Sequence, residues 1–311
     1  MNQSDSSRSS LKAVPQGTAH GFLASAAFPL TTLRRGGGQG LRVAIGRQGF
    51  SPSREFVQEW LFAGSRLPIR LFSVDGGYEV EAGDLGIYRI SLAEPSVELP
   101  PDLEPVIAEA FLWSTPTAIC AAAAGDLMLH AAAVDVDGRA IIFTGDGGDG
   151  KTTLGAGFHR AGHRLLSDDT VRVSLVESRP QIFPGPALLR LRNDMSAKLA
   201  LRDMVKVWLG TEKTYLAVEE HRRGTGAPLP IAAVVMLEWG DYVFSPLVAP
   251  IEKGLAALWP RSFYLPGERS RELVFQTLVG LLDTIPVYRM SRPRQLASLD
   301  WAVAALGSIE A

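Results

Sequence analysis

The sequence predicts an α/β protein, and three stretches carry that prediction. "AIIFT" (140–144) reads as a buried strand that runs straight into the glycine-rich "GDGGDGKT". "TTLGAGFHRAG" after it has helical spacing and stops at Gly162. "RLLS" (164–167) then reads as a second short strand. Ahead of this part lies a β-prone first third, which predicts a small α+β unit over residues 19–115, with the α/β unit occupying 116–311.

In chain order, residues 1–18 are Ser-rich, charged and aperiodic, which predicts a disordered tail. "LRRGGGQG" (33–40) is a turn or loop. "LRVAIG", "IRLFSV", "GYEVEAG" and "GIYRISL" read as strands, and "SREFVQEWLFAG" as a short helix among them. "PPDLEPVIAEAFLWST" opens with prolines and acids and continues with helical spacing. "ICAAAAGDLMLHAAAV" reads as helical. A hairpin follows, with arms at Ala132–Val136 and Ala140–Thr144 and an Asp137-Gly138 turn. "ALLRLRN" alternates, so Arg190 and Arg192 would share one strand face. "IAAVVMLEW" is a buried strand, "SRELVFQTLVGLLDTIPVYRM" a helix leading into a strand, and "RPRQLASLDWAVAALGSI" a terminal helix.

Composition narrows the function. The chain has 311 residues, 46% of them hydrophobic, enough for a sizeable core. The formal net charge of -2 gives no general attraction to nucleic acid or to an anionic membrane, so neither is an expected partner and any phosphate binding is local. A single cysteine, Cys120, excludes a disulfide scaffold and a multi-cysteine metal site. The polar start lacks the apolar core of a signal peptide. The longest apolar stretch is interrupted by Glu109, Ser114, Thr115 and Pro116. A cytoplasmic protein is expected.

"GDGGDGKT" fits G-x-x-x-x-G-K-[ST] at every fixed place. Glycines let the backbone come close to an anion, and successive N–H groups with a helix N-terminus make a phosphate cradle. Gly145, Asp146, Gly147, Gly148, Asp149, Gly150, Lys151, Thr152 and Thr153 are therefore the candidate nucleotide contacts. Lys151 would meet the outer phosphates, and the Thr152 hydroxyl can ligate Mg²⁺. The plainer alternative is a glycine-rich turn with a solvated lysine. Asp168 and Asp169 fall at the end of "RLLS", where carboxylates can hold Mg²⁺ or accept a proton. If the strand persists they point to opposite faces and so differ in role. The alternative is an exposed turn with a helix-capping aspartate.

Together, "LHAAAVDVDGRAIIFTGDGGDGKTTL" and "GHRLLSDDTVRV" resemble the core of the HPr kinase/phosphorylase family, over roughly residues 119–175. His130 lies 21 residues before Lys151 and Asp168 lies 17 after it, intervals that match the family pattern. The resemblance implies a P-loop sheet with flanking helices, related to phosphoenolpyruvate carboxykinases. It implies ATP and Mg²⁺, Asp168 as the base that takes a proton from a serine hydroxyl, and Asp169 with Thr152 as Mg²⁺ ligands. His130 would orient or tune the catalytic aspartate; its alternative is a satisfied, half-buried histidine. Phosphoryl transfer also calls for a cation on the moving group, for which Arg190, Arg192 and Lys213 are candidates against solvated strand residues. His163 reads as structural, and His159, Arg160 and Arg164 as solvated. The family's habit implies a homo-oligomer.

Two departures matter. Gly147 stands where the family loop carries serine, and "IFPGPALLRLRNDM" replaces the E-[IV]-R-G-x-G signature tied to HPr handling. HPr and the reverse phosphorylase reaction are therefore not expected. The chain resembles instead the shorter kinases that accompany ribosomally made peptides, lasso peptides among them. The expected function is transfer of the γ-phosphate to a serine of a precursor peptide. Alternatives are another protein or small hydroxyl acceptor, or a non-catalytic nucleotide-binding regulator.

Overall fold

The computed structural model describes residues 13–60, 68–248 and 250–309. Its first sheet holds eight strands: β1 (Val14–Ala19), β2 (Phe22–Ala26), β3 (Gln39–Ile45), β4 (Glu55–Trp60), β5 (Ile69–Val74), β6 (Gly77–Glu81), β7 (Ile87–Ser91) and β8 (Ser96–Leu99). Their order is β1-β2-β3-β8-β7-β6-β5-β4. Up to β8 this unit is all strand among the described residues apart from one short 3-10 turn, and helix enters the 19–115 range only with Pro105–Leu112. The expected helix at "SREFVQEWLFAG" is instead β4 in its described part. It pairs antiparallel with β5 across a bulge between Phe56 and Gln58, so long-range pairing overrides local spacing. The expected tail also shortens: residues 1–12 lie outside the described residues, and Val14–Ala19 is a strand paired with β2.

Two helices follow, α1 (Pro105–Leu112) and α2 (Thr115–Ala123). Together they are apolar enough by composition to match a membrane-crossing helix, but they break at Trp113–Ser114 and most of the run is buried. Gly125 at φ +89° ends α2, so the run expected as one helix becomes a helix followed by a strand.

The second sheet mixes parallel and antiparallel strands. Its strands are β9 (Leu127–Val136), β10 (Arg139–Thr144), β11 (Arg164–Ser167), β12 (Thr170–Val176) and β13 (Arg179–Phe183), with β17, β18, β19 and β20 arriving later in the chain. Helix α3 (Lys151–Arg160) connects β10 to β11. A separate three-stranded sheet follows, made of β14 (Leu188–Arg192), β15 (Met204–Leu209) and β16 (Lys213–Val218) in the order β14-β16-β15, with α4 (Asn193–Leu199) between its first two strands. After the short α5 (Glu220–Arg223) come β17 (Leu229–Trp239), β18 (Val243–Pro246), α6 (Pro250–Leu258), β19 (Ser262–Phe263), α7 (Glu268–Thr284), β20 (Val287–Arg292) and α8 (Ser298–Gly307).

Strand β9 changes partners halfway. Its first part, through His130, pairs with β12, and its second part pairs with β10 and β11. The gap between β11 and β12 therefore falls beside His130, and Asp168 and Asp169 occupy that gap. β10 lies parallel to β17, and β17 parallel to β20, so their C-terminal ends open on the same edge.

The first sheet is tied into this region by buried polar contacts. Arg34, 2% exposed, donates through Nη2 to the carbonyls of Leu165 (2.8 Å) and Leu166 (3.0 Å), and through Nε to Gly185 (2.8 Å). The strand that delivers Asp168 is thus pinned by a guanidinium from the N-terminal sheet. One apolar cluster runs from Leu41 and Val97 of that sheet to Leu127, Val171 and Leu278. A second packs Phe143, Phe158, Leu191 and Leu299 around α3.

Candidate functional site

β10 delivers the chain into the loop 145–150, and α3 starts at Lys151. Gly150 is the residue before that helix and takes a left-handed conformation, φ +88°. The left-handed φ favours glycine, and a Cβ there would also crowd Arg292 Nη2 at 2.9 Å and Trp239 Cη2 at 3.1 Å. Trp239 Nε1 donates to the Gly148 carbonyl at 3.0 Å, and the Arg292 guanidinium stacks on the same indole at 4.6 Å. Those two residues end β17 and β20 and back the loop from outside. Within it, Asp149 Oδ2 accepts from the Asp146 amide at 2.6 Å, and Arg261 pairs with the Asp146 carboxylate. Gly147 is exposed and Thr153 half-buried.

Lys151 is buried and folded over the loop, its Nζ donating to the carbonyls of Gly145 (2.9 Å) and Asp146 (3.0 Å). Burial lowers its proton affinity, against the opposing pull of Asp149, Asp169 and Asp168. Thr152, one residue into the helix, points its hydroxyl at Asp168 Oδ1, 2.7 Å away. The other Asp168 oxygen accepts from the Arg190 backbone amide at 3.0 Å. Asp168 is 3% exposed. Burial raises its pKa above the ordinary carboxylate range, only partly offset by the Arg190 charge, the Arg190 amide and the Thr152 hydroxyl.

Asp169 has the opposite electrostatics. Burial would push its pKa up, but the charges of Arg190, His130 and Lys213 outweigh that and hold it at about 2. Its carboxylate pairs with the Arg190 guanidinium and accepts from Ser114 Oγ at 3.3 Å. His130 Nδ1 donates to the Asp169 carbonyl at 3.0 Å and lies 3.8 Å from its carboxylate. Burial lowers the His130 pKa despite Asp169, which favours the neutral ring near pH 7.

The structure brings most of the sequence-derived residues together, with differences. The adjacent aspartates do not take opposite strand faces. Asp169 adopts φ +74°, and the resulting turn lets both carboxylates converge on Arg190. The Thr152 hydroxyl is bonded to Asp168, while the Asp169 carboxylate is paired with Arg190. His130 touches Asp169 rather than the expected base Asp168. Arg192 stays out of the cluster: β14 ends there, and its side chain is 74% exposed beside Asp194 at 3.3 Å. His159 is buried rather than solvated, bonded to the Arg202 carbonyl at 3.1 Å, and Arg164 is paired with Asp135. Sequence spacing does not reveal Ser114, Trp239 and Arg292, since each reaches the site from a distant part of the chain and carries no local motif.

No family model matches the chain. A segment of 62 residues, 20% of the chain, is 36% identical to HPr kinase/phosphorylases of Limosilactobacillus reuteri and of Latilactobacillus sakei. The chain spans about a fifth of the length of these curated relatives (19% and 20%). The solved Hpr(Ser) kinase/phosphatase of Coxiella burnetii aligns with a TM-score of 0.32 at 10% identity, over 58% of this chain and 93% of that one. The resemblance to HPr kinase/phosphorylases is borne out by the 62-residue sequence match.

Proposed function

From that HPr kinase-like segment and the geometry around it, we propose that the protein is a kinase that moves the γ-phosphate of ATP to a serine hydroxyl of a ribosomally made precursor peptide. The unit 116–311 carries the chemistry. The observation that supports this best is the 2.7 Å contact between Thr152 Oγ1 and Asp168 Oδ1. It joins the nucleotide end of the site to the carboxylate that would receive an incoming alcohol.

The residues present fit the group they would hold. The loop has the glycine that a helix-capping phosphate cradle needs, held at a left-handed φ of +88° where a Cβ would crowd Arg292 and Trp239. Thr152 offers a hard oxygen, and Mg²⁺ is commonly held by one or two protein oxygens plus phosphates. When bound, Mg²⁺ would neutralise charge on the β- and γ-phosphates. Lys151 would leave the Gly145 and Asp146 carbonyls for those phosphates. Asp169 is committed to Arg190, so its part is to align that guanidinium rather than to hold metal.

The serine oxygen attacks the γ-phosphorus as the bond to the bridging oxygen of ADP breaks. The serine proton passes to Asp168, the aspartate whose proton affinity is raised. Arg190 faces the transferring group as the stabilising cation. His130 pins the Asp169 carbonyl and so fixes the turn. Incubation with γ-labelled ATP, Mg²⁺ and a precursor peptide, read by mass, tests the reading: a phosphoserine supports it, and transfer only to unrelated acceptors removes the precursor as substrate.

A further inference from the structure

The β14–β16–β15 sheet has two unlike faces. Leu189, Leu191 and Leu216 are buried on the face that packs toward α3 and α4. The other face carries a cross-strand row formed by Arg190 opposite Tyr215 and Tyr215 opposite Trp208. Two positions along, Arg192 lies opposite Lys213 on that same face. Trp208 is a built platform. Its ring packs edge-on against Tyr215 at 5.0 Å and covers Gly210, where a Cβ would fall 2.2 Å from the indole.

This face begins at the candidate transfer centre, since Arg190 pairs with Asp169. From there it runs outward with positive charge at Arg192 and Lys213. Among the described residues Arg192 pairs with Asp194, two residues away, in an exposed pair of the kind that contributes about 0–1 kcal/mol and exchanges readily. Strand β15 is the edge of its sheet, so a further extended strand can line up along it.

Resting on the kinase reading above, we propose that this face is the acceptor-binding surface and that its occupant is an extended peptide segment bearing carboxylates beside the acceptor serine. Arg192 and Lys213 pair with the carboxylates, and Trp208 with Tyr215 supports the chain between them and the serine. Charge complementarity selects the partner, and continuity with Arg190 puts its hydroxyl at the aspartate pair.

Binding is measured by fluorescence anisotropy on the Asp168→Asn protein without nucleotide, so that recognition is read apart from transfer. The probes are a short fluorescein-labelled peptide with glutamates flanking its serine, its glutamine counterpart, and a single-stranded oligonucleotide. The glutamate peptide is expected to bind about tenfold more tightly than the glutamine peptide at low salt, about 1.4 kcal/mol. The Arg192→Gln/Lys213→Gln double variant loses that preference, and Arg192→Lys/Lys213→Arg keeps it. Trp208→Ala weakens both peptides. The proposal is overturned if neither peptide binds, if the two bind equally, if the preference survives the double variant, or if the oligonucleotide binds the face more tightly. Preference without transfer in the unsubstituted protein sinks the kinase reading alone, and transfer without preference sinks this one alone.

Discussion

Thr152 and Asp168 lie 16 residues apart in sequence and meet through a 2.7 Å hydrogen bond between hydroxyl and carboxylate. Thr152→Val keeps the shape and removes that bond together with the oxygen available to Mg²⁺. A hydrogen bond to a charged group is worth roughly 1.5–3 kcal/mol, so transfer is expected to fall about tenfold to a hundredfold. Thr152→Ser should retain most activity. Steady-state rates across a Mg²⁺ titration check this, and equal rates for Val and Ser would contradict it.

Of the two aspartates, Asp168 sets the acid limb. Asp168 must be ionised to act as a base, and burial raises its pKa above the usual carboxylate range. Asp169, held at about 2, stays ionised throughout the working range. kcat/KM should therefore fall as pH drops through the raised Asp168 value, while Asp169 adds no step there. An acid limb at or below about 4, where ordinary aspartates titrate, would count against Asp168 as the base.

Arg190 neutralises the half-buried Asp169 carboxylate, so Arg190→Gln should cost both chemistry and stability. Losing a hydrogen bond to a charged group at such a half-exposed pair costs roughly 1.5–3 kcal/mol. The sign follows from the depressed Asp169 value: its stabilisation is present above about 3.9, the unfolded value, and is lost as pH falls toward about 2. Without Arg190 that contribution disappears at neutral pH. Denaturant melts from neutral to acid pH should show the variant destabilised most near neutrality and converging on the parent in acid. A gap that stayed constant across the series would refute the assignment.

Gly150→Ala and Gly148→Ala separate backbone strain from steric clash. Both glycines have positive φ, but a Cβ at Gly148 meets nothing within 4 Å, whereas one at Gly150 meets Arg292 and Trp239. Gly148→Ala should cost about 1 kcal/mol, the left-handed penalty alone. Gly150→Ala should cost more and should abolish nucleotide binding by displacing the helix start. Thermal melts with calorimetric titration of nucleotide check both, and equal effects would show that Arg292 and Trp239 do not set the loop.

What could be read from the sequence was what near neighbours determine. The loop, its helix and the "RLLS" strand are local, and so is the Asp137-Gly138 turn, whose residues take φ +51° and +83° as its two-residue hairpin requires. β4 was not legible, because Phe56, Val57 and Trp60 fit helical spacing as well as a strand, and pairing with β5 decides it. The convergence of Asp168 and Asp169 depends on one left-handed residue, which no spacing reveals. Arg190 and Arg192 alternate correctly, yet Arg190 pairs with Asp169 while Arg192, two positions further along the strand, is exposed and paired with Asp194. Ser114, Trp239 and Arg292 come from far along the chain, so their contacts exist only once the sheets assemble.

The most direct measurement is phosphate transfer by Asp168→Asn from γ-labelled ATP to the precursor peptide, with nucleotide affinity determined on the same protein. The expected result is a loss of at least about a hundredfold in transfer, the usual scale for removing a general base, with nucleotide affinity within about threefold of the parent. Transfer within a few-fold of the parent would show that the carboxylate beside Thr152 is not where the serine proton goes.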